Sequence, residues 1–158
     1  LIEASNHLEN KKNIHFVIFG KGQHLEKLKN NAKNNVSFLG QIDKSQIQSA
    51  ISFFDVCYIG WHNHSLYRFG ISPNKIFDYL YASKPIIHSV NTSNDYVKIA
   101  EAGISIQPEN PKEIANAVSE ISKTEDKKLK KWGENGKKYV EENHTFSHLT
   151  ELLISTFK

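Results

Sequence analysis

The chain has 158 residues, 39% of them apolar and 23% charged, with a formal net charge of +3. That length supports one domain, 1–158, with a sizeable core. The charge is too small to argue a nucleic-acid partner, and the lysine runs read as solvated helix faces. No stretch of eighteen apolar residues occurs, so these residues hold no candidate membrane-spanning helix. Methionine is absent, which makes Leu1 read as an internal position of a longer protein. The single cysteine, Cys57, lies in the apolar run "DVCYIGW" and reads as a reduced, buried thiol. Arg68 is the only arginine.

The opening "LIEASNHLENKK" puts Leu1, Ala4 and Leu8 on one helical face. Strands are expected at 14–19 ("IHFVIF"), 36–40 ("VSFLG"), 55–60 ("DVCYIG"), 85–90 ("PIIHSV") and 103–108 ("GISIQP"). Helical periods separate them: "GQHLEKLKNNAKN", "DKSQIQSAISFF", "SPNKIFDYLYAS" and "SNDYVKIAEA". Strand alternating with helix predicts βαβ units, a mostly parallel Rossmann-like sheet and helices on both faces. After residue 110 come three helices, "PKEIANAVSEIS", "KKLKKWGENGKKYVEEN" and "FSHLTELLISTF". Pro111 and Thr145 stand near two of their starts, and Gly133 and Gly136 are expected to break or bend the middle one.

In an open parallel sheet, ligands sit beyond the carboxyl ends of the strands, against helix N-termini. The loop after the first strand, "FGKGQHL", carries Gly20 and Gly22, a tight turn where backbone can approach a ligand. The segment "RFGISPNKIFDYLYASKPII" reads further. Ser72 suits an N-cap and Pro73 the first helical position, so the amides of Asn74 and Lys75 point outward. A capping box would place Glu at residue 75; Lys there costs about 0.3–1 kcal/mol against the helix dipole. An external phosphate would resolve that conflict, meeting free amides, the dipole and the ammonium together. Arg68, just upstream, could add a bidentate contact. Asp78 shares a helix face with Asn74 and Lys75 and suits vicinal hydroxyls. Phosphate plus diol spells a nucleotide; the competing reading pairs Lys75 with Asp78 on an exposed face. His62 and His64 in "WHNHSLYR" lack a nearby acid and make a poor metal site, so no metal is expected. That stretch reads instead as a mobile loop over the ligand, and the other histidines as structural.

The segment "FGISPNKIFDYLYASKPII" resembles the donor-site segment of retaining GT-B glycosyltransferases of family 4, nearest the bacterial branch building surface polysaccharide and O-antigen. "VIFGKGQHLEKLK", "NVSFLGQIDKSQIQSAISFFDVCYIG", "AGISIQPENPKEIANAVSEI" and "KKWGENGKKYVEENHTFSHLTELL" resemble successive parts of the same C-terminal half. The resemblance implies a UDP-sugar donor, a lipid-linked or glycan acceptor, and no required cofactor or metal. It also implies a cytoplasmic enzyme, peripheral at the inner face of the membrane. In the family's E-x7-E element Asp78 matches the second acid, on the ribose, while the first acid would fall on Gly70. Ser72 to Lys75 match the diphosphate-binding helix start, Gln41 and Ile42 the loop along the base, and Gly20 and Gly22 the turn bordering the sugar-phosphate. The first strand of that half and the N-terminal acceptor domain have no counterpart in these residues, so the chain alone is expected to transfer no sugar. There are two rivals: a UDP-sugar 2-epimerase-like enzyme, which shares this architecture, and a non-catalytic nucleotide-binding or interaction module.

Overall fold

The computed structural model describes residues 1–157. Each expected strand forms, the second over its full expected span and the others shortened by two residues: β1 Phe16–Phe19, β2 Val36–Gly40, β3 Cys57–Gly60, β4 Ile86–Ser89 and β5 Gly103–Ile106. Helices α1 Ile2–Asn6, α2 Leu25–Asn31, α3 Ile47–Ser52, α4 Asn74–Tyr81 and α5 Tyr96–Ile99 are interleaved with them. The last three, α6 Pro111–Ile121, α7 Asp126–Asn143 and α8 Phe146–Ser155, follow without a strand. All strand pairs are parallel. None of the described helices is long and apolar enough to cross a membrane.

The sheet comes in two pieces, β1–β2 and β3–β4–β5. Between them runs a slot of about 1330 Å³ lined by consecutive residues of β1 (Phe16 to Phe19) and of β3 (Cys57 and Tyr58). Neighbouring side chains of a strand point to opposite faces, so a lining of consecutive residues marks strand edges rather than a sheet face. Helical residues close the slot on its sides, among them Ile51 from α3, Tyr79 from α4 and Ile121 from α6. β1 reads "FVIF", the apolar-on-both-faces pattern of a central parallel strand, yet all four residues are only half-buried. β4, flanked on both edges, is buried throughout. One further parallel strand would join the pieces into a single sheet.

The core lies under β3–β5, where Ile59, Ile76, Leu80, Ile86, Val97, Ala102 and Val140 pack together. Cys57 belongs to it, and burial pushes its thiol up to about 12, so it is an inert packing group. The expected break in the long C-terminal helix does not occur: α7 is continuous across Gly133 and Gly136. A β-carbon at Gly133 would overlap the Ser83 carbonyl, and one at Gly136 would come 2.8 Å from Leu80 Cδ2. The glycines let α7 press against the C-terminal end of α4. Close packing outweighs a propensity loss of about 1 kcal/mol per glycine and fixes α4 from behind.

Candidate nucleotide-binding site

The loops after β1, β2 and β3 converge on the start of α4. This helix begins one residue later than the sequence suggests. Pro73 occupies the N-cap position with extended backbone (φ −81°, ψ 128°), and no side chain caps the helix. Ser72 therefore sits one residue outside the N-cap, where its hydroxyl cannot serve the amides of the first turn. The proline carbonyl accepts the first bond, from the Ile76 amide at 3.1 Å. Asn74 and Lys75 become the first two helical residues, and among the described residues their amides find no backbone acceptor outside the helix.

Lys75 is exposed and forms no ion pair among the described residues. Asp78, one turn along, is half-buried. Gln48 of α3 lies beside it, with Nε2 3.5 Å from Asp78 Oδ1 and 3.4 Å from the Asp78 carbonyl. The pairing of Lys75 with Asp78 is thus not what the fold adopts, and a cation stands unneutralised at the positive end of a helix.

Two cavities meet at Lys75. The smaller, about 390 Å³, is lined by Tyr58, Ile59, Gly60, Trp61, Pro73, Asn74, Lys75 and Tyr79. The larger is the slot, which gathers Gly20, Gln41, Ile42, Gln46, Lys75 and Asp78. The structure therefore brings together Gly20, Gln41, Ile42, Asn74, Lys75 and Asp78; Gly22, Ser72 and Arg68 line neither cavity. Arg68 lies in a 3-10 turn, Ser65–Phe69, with its guanidinium 4.6 Å from the centroid of the Phe69 ring.

The aromatic lining escaped the sequence reading, because Tyr58, Trp61 and Tyr79 look like packing residues of a strand and a helix. The Trp61 indole N–H is buried and finds no acceptor among the described residues. Burial raises the Tyr58 hydroxyl above its ordinary range, against the lowering effect of Ser89, and it raises Tyr79 also. Both are neutral hydrogen-bond donors at physiological pH. A β-carbon at Gly60 would strike the Tyr58 hydroxyl, so glycine there lets the tyrosine lie across the end of β3. Within the stretch 61–69, His64 Nδ1 accepts from the Leu66 amide to start the 3-10 turn. The acid missing near His62 in sequence arrives through the fold, Glu109 Oε1 lying 2.9 Å from His62 Nδ1. No group of three His, Cys, Asp or Glu residues able to hold a metal forms among the described residues.

The model of the family described as glycosyl transferases group 1 matches residues 1–139. The chain belongs to that family. No curated protein matches the sequence. Among solved structures, sucrose-phosphate synthase from Thermosynechococcus elongatus superimposes with a TM-score of 0.73 at 19% identity, over 99% of this chain and 42% of that one. S. aureus TarM, in a mutant form with fondaparinux, α-GlcNAc-glycerol and UDP, gives 0.76 at 16% identity, over 99% of this chain and 32% of that one. The C-terminal domain of a glycosyl transferase group 1 family protein (LpcC) from Francisella tularensis gives 0.71 at 19% identity, over 92% of this chain and 77% of that domain. The group 1 chain thus corresponds to less than half of the first two proteins and to most of an isolated C-terminal domain. Its fold is that of the C-terminal, Rossmann-like half of a GT-B enzyme.

Within this group 1 domain, the position eight residues before Asp78 is Gly70, with φ 104° and a hypothetical β-carbon only 3.1 Å from Asn94 Oδ1. The left-handed backbone is one that residues with a β-carbon adopt only under strain, and the Asn94 amide leaves a β-carbon little room, so the local fold disfavours a carboxylate at this place.

Proposed function

We propose that this chain is the donor-binding half of a retaining, family 4 GT-B glycosyltransferase. The complete enzyme moves a sugar from a UDP-sugar to a lipid-linked or glycan acceptor in bacterial surface-polysaccharide synthesis, at the cytoplasmic face of the membrane. The observation that carries this reading is the unpaired Lys75 at an uncapped helix start, with Asp78 one turn behind it and both opening on one cavity. Phosphate suits the first feature and a ribose diol the second. Fold neighbours add support, since TarM was solved with UDP and Anabaena HepE with UDP-glucose.

On this reading the leaving diphosphate is held by the amides of Asn74 and Lys75 and by the Lys75 ammonium. Preorganised positive groups of this kind stabilise charge that develops in the transition state. Gln41 and Ile42 lie along the base, and Gly20 gives room beside the sugar-phosphate. In the whole protein the slot between β1 and β3 takes one more parallel strand, and a second domain brings the acceptor.

Titration of the purified chain with UDP and with inorganic pyrophosphate tests the assignment. UDP should bind the more tightly, because only it offers base and ribose. Equal affinity for both, or none for either, would refute a donor site here.

A further inference from the structure

Between β4 and α5 one side chain spends its whole hydrogen-bonding capacity on holding the approach to α4. Asn94 Oδ1 accepts from the Ile71 amide at 2.8 Å and lies 2.8 Å from the Thr92 hydroxyl. Its Nδ2 donates to the Ile71 carbonyl at 2.7 Å and to the Tyr96 hydroxyl at 3.0 Å. Two donors and two acceptances exhaust a carboxamide, and half of them grip both backbone groups of one residue. The Thr92 proton is shared with the Tyr67 carbonyl, 2.9 Å away, so the same loop also holds the 3-10 turn. Resting on the donor-site reading above, we infer that Asn94 is a positioning residue: it fixes Gly70 and Ile71, and through them the place where α4 presents its free amides and Lys75 to a diphosphate.

Three features make this more than a loop contact. First, Ile71 is the last tied residue before the helix. Among the described residues, Ser72, Asn74 and Lys75 donate no hydrogen bond outside α4, so Asn94 is the final restraint on the segment carrying the phosphate-binding groups. Second, the grip is fitted. Gly70 adopts φ 104°, and any β-carbon there would press on the Asn94 amide. Third, the loop that carries Asn94 is itself anchored in the core. The adjacent Asp95 caps α5 through the Val97 and Lys98 amides and bonds His88 Nδ1 at 2.8 Å, and His88 is fully buried within β4. An unbroken series of bonds therefore runs from the buried sheet through His88, Asp95, Asn94 and Ile71 to the start of α4. Asn94 itself lines neither cavity, so it acts through the backbone it holds rather than by touching ligand.

The test compares Asn94→Ala with Tyr96→Phe, which removes one of the Asn94 bonds but leaves the grip on Ile71 intact. Pyrophosphate and UDP titrations are read beside amide hydrogen exchange of the ligand-free domain. Asn94→Ala should weaken both ligands by the same factor, about tenfold or more, and speed exchange at Ile71 while the β4 amides stay protected. Tyr96→Phe should leave both affinities within about twofold. Wild-type affinities in a folded Asn94→Ala domain would overturn the proposal, as would losses in Tyr96→Phe as large as those in Asn94→Ala. If Asn94→Ala loses β4 protection altogether, Asn94→Leu, which fills the same space but makes neither bond to Ile71, substitutes for it; an unchanged pyrophosphate affinity there overturns the proposal, and a loss for both ligands with β4 intact supports it. Wild-type domain that binds neither ligand would instead refute the donor-site reading, and the exchange data would still show whether Asn94 restrains Ile71.

Discussion

Replacing Lys75 by glutamate should make the ligand-free domain more stable and a poorer binder. Lys75 occupies the second position of α4 and has no ion pair among the described residues, so removing it breaks no attraction. Its unfavourable interaction with the helix dipole, about 0.3–1 kcal/mol, becomes a favourable one of similar size. No capping box contributes, because Ser72 lies outside the N-cap position. A new like-charge neighbour, Asp78, returns about 0.2–0.5 kcal/mol. The net gain is on the order of 1 kcal/mol, which for a domain of this length raises Tm by about 2–4 °C. The same carboxylate stands where phosphate must sit, so UDP affinity should fall at least about tenfold, or 1.4 kcal/mol. Thermal melts of both variants with and without UDP measure both quantities. A destabilised Lys75→Glu domain that binds UDP normally would refute the reasoning, because it would mean Lys75 serves an internal partner and not a ligand.

Asp78→Asn should weaken UDP binding by about 1.5–3 kcal/mol, the worth of a hydrogen bond to a charged acceptor, while leaving pyrophosphate nearly unchanged; calorimetry with the two ligands checks this. Gly133→Ala should lower Tm even though alanine is the better helix former by about 1 kcal/mol, since its methyl overlaps the Ser83 carbonyl and overpacking costs about 1–3 kcal/mol. Stability should also fall as the solution is acidified below neutrality. Burial, with a contribution from His148, holds the His144 pKa below its ordinary 6.5, so the unfolded chain takes up the proton first. The stabilisation is complete above about pH 6.5 and is lost as pH falls through the lower folded value. His144→Phe should flatten that part of a Tm-against-pH curve. A separate loss at more acid pH belongs to Asp95: burial works to raise its pKa, but bonds from His88, Ser105 and the Lys98 amide outweigh it. Its contribution is present above 3.8 and disappears as pH falls through a folded value below that.

The order of strands and helices was legible because each strand is a short apolar run and each helix between strands carries its own period. What was not legible depends on contacts between distant residues. Gly133 and Gly136 look like helix breakers, and nothing in "KKWGENGKKY" says that Ser83 and Leu80 will press against them. Lys75 and Asp78 have the spacing of a helix pair, but Gln48, thirty residues away in sequence, lies beside the carboxylate instead. Arg68, the sole arginine, has its guanidinium beside the ring of its sequence neighbour Phe69. "NTSND" reads as an ordinary polar turn. Its second asparagine becomes meaningful only when the fold sets it against Ile71.

The two-piece sheet divides the proposed ligand as well. Gly20, Gln41 and Ile42 belong to loops of the β1–β2 piece, whereas Asn74, Lys75 and Asp78 are carried by α4, packed on the β3–β5 piece. A nucleotide reaching from base to diphosphate must therefore touch both pieces across the slot, and its binding includes the free energy of holding them in register. On the proposed reading pyrophosphate touches only the start of α4 and carries no such term. A strand seated in the slot would bond to the free edges of β1 and β3 and fix the register in advance, removing an ordering cost that the ligand otherwise bears. Lengthening the protein to include such a strand should thus tighten UDP binding and leave pyrophosphate binding largely as it was. If both ligands tightened equally, the two pieces would already be in register without it, and base and phosphate contacts would not be divided between them.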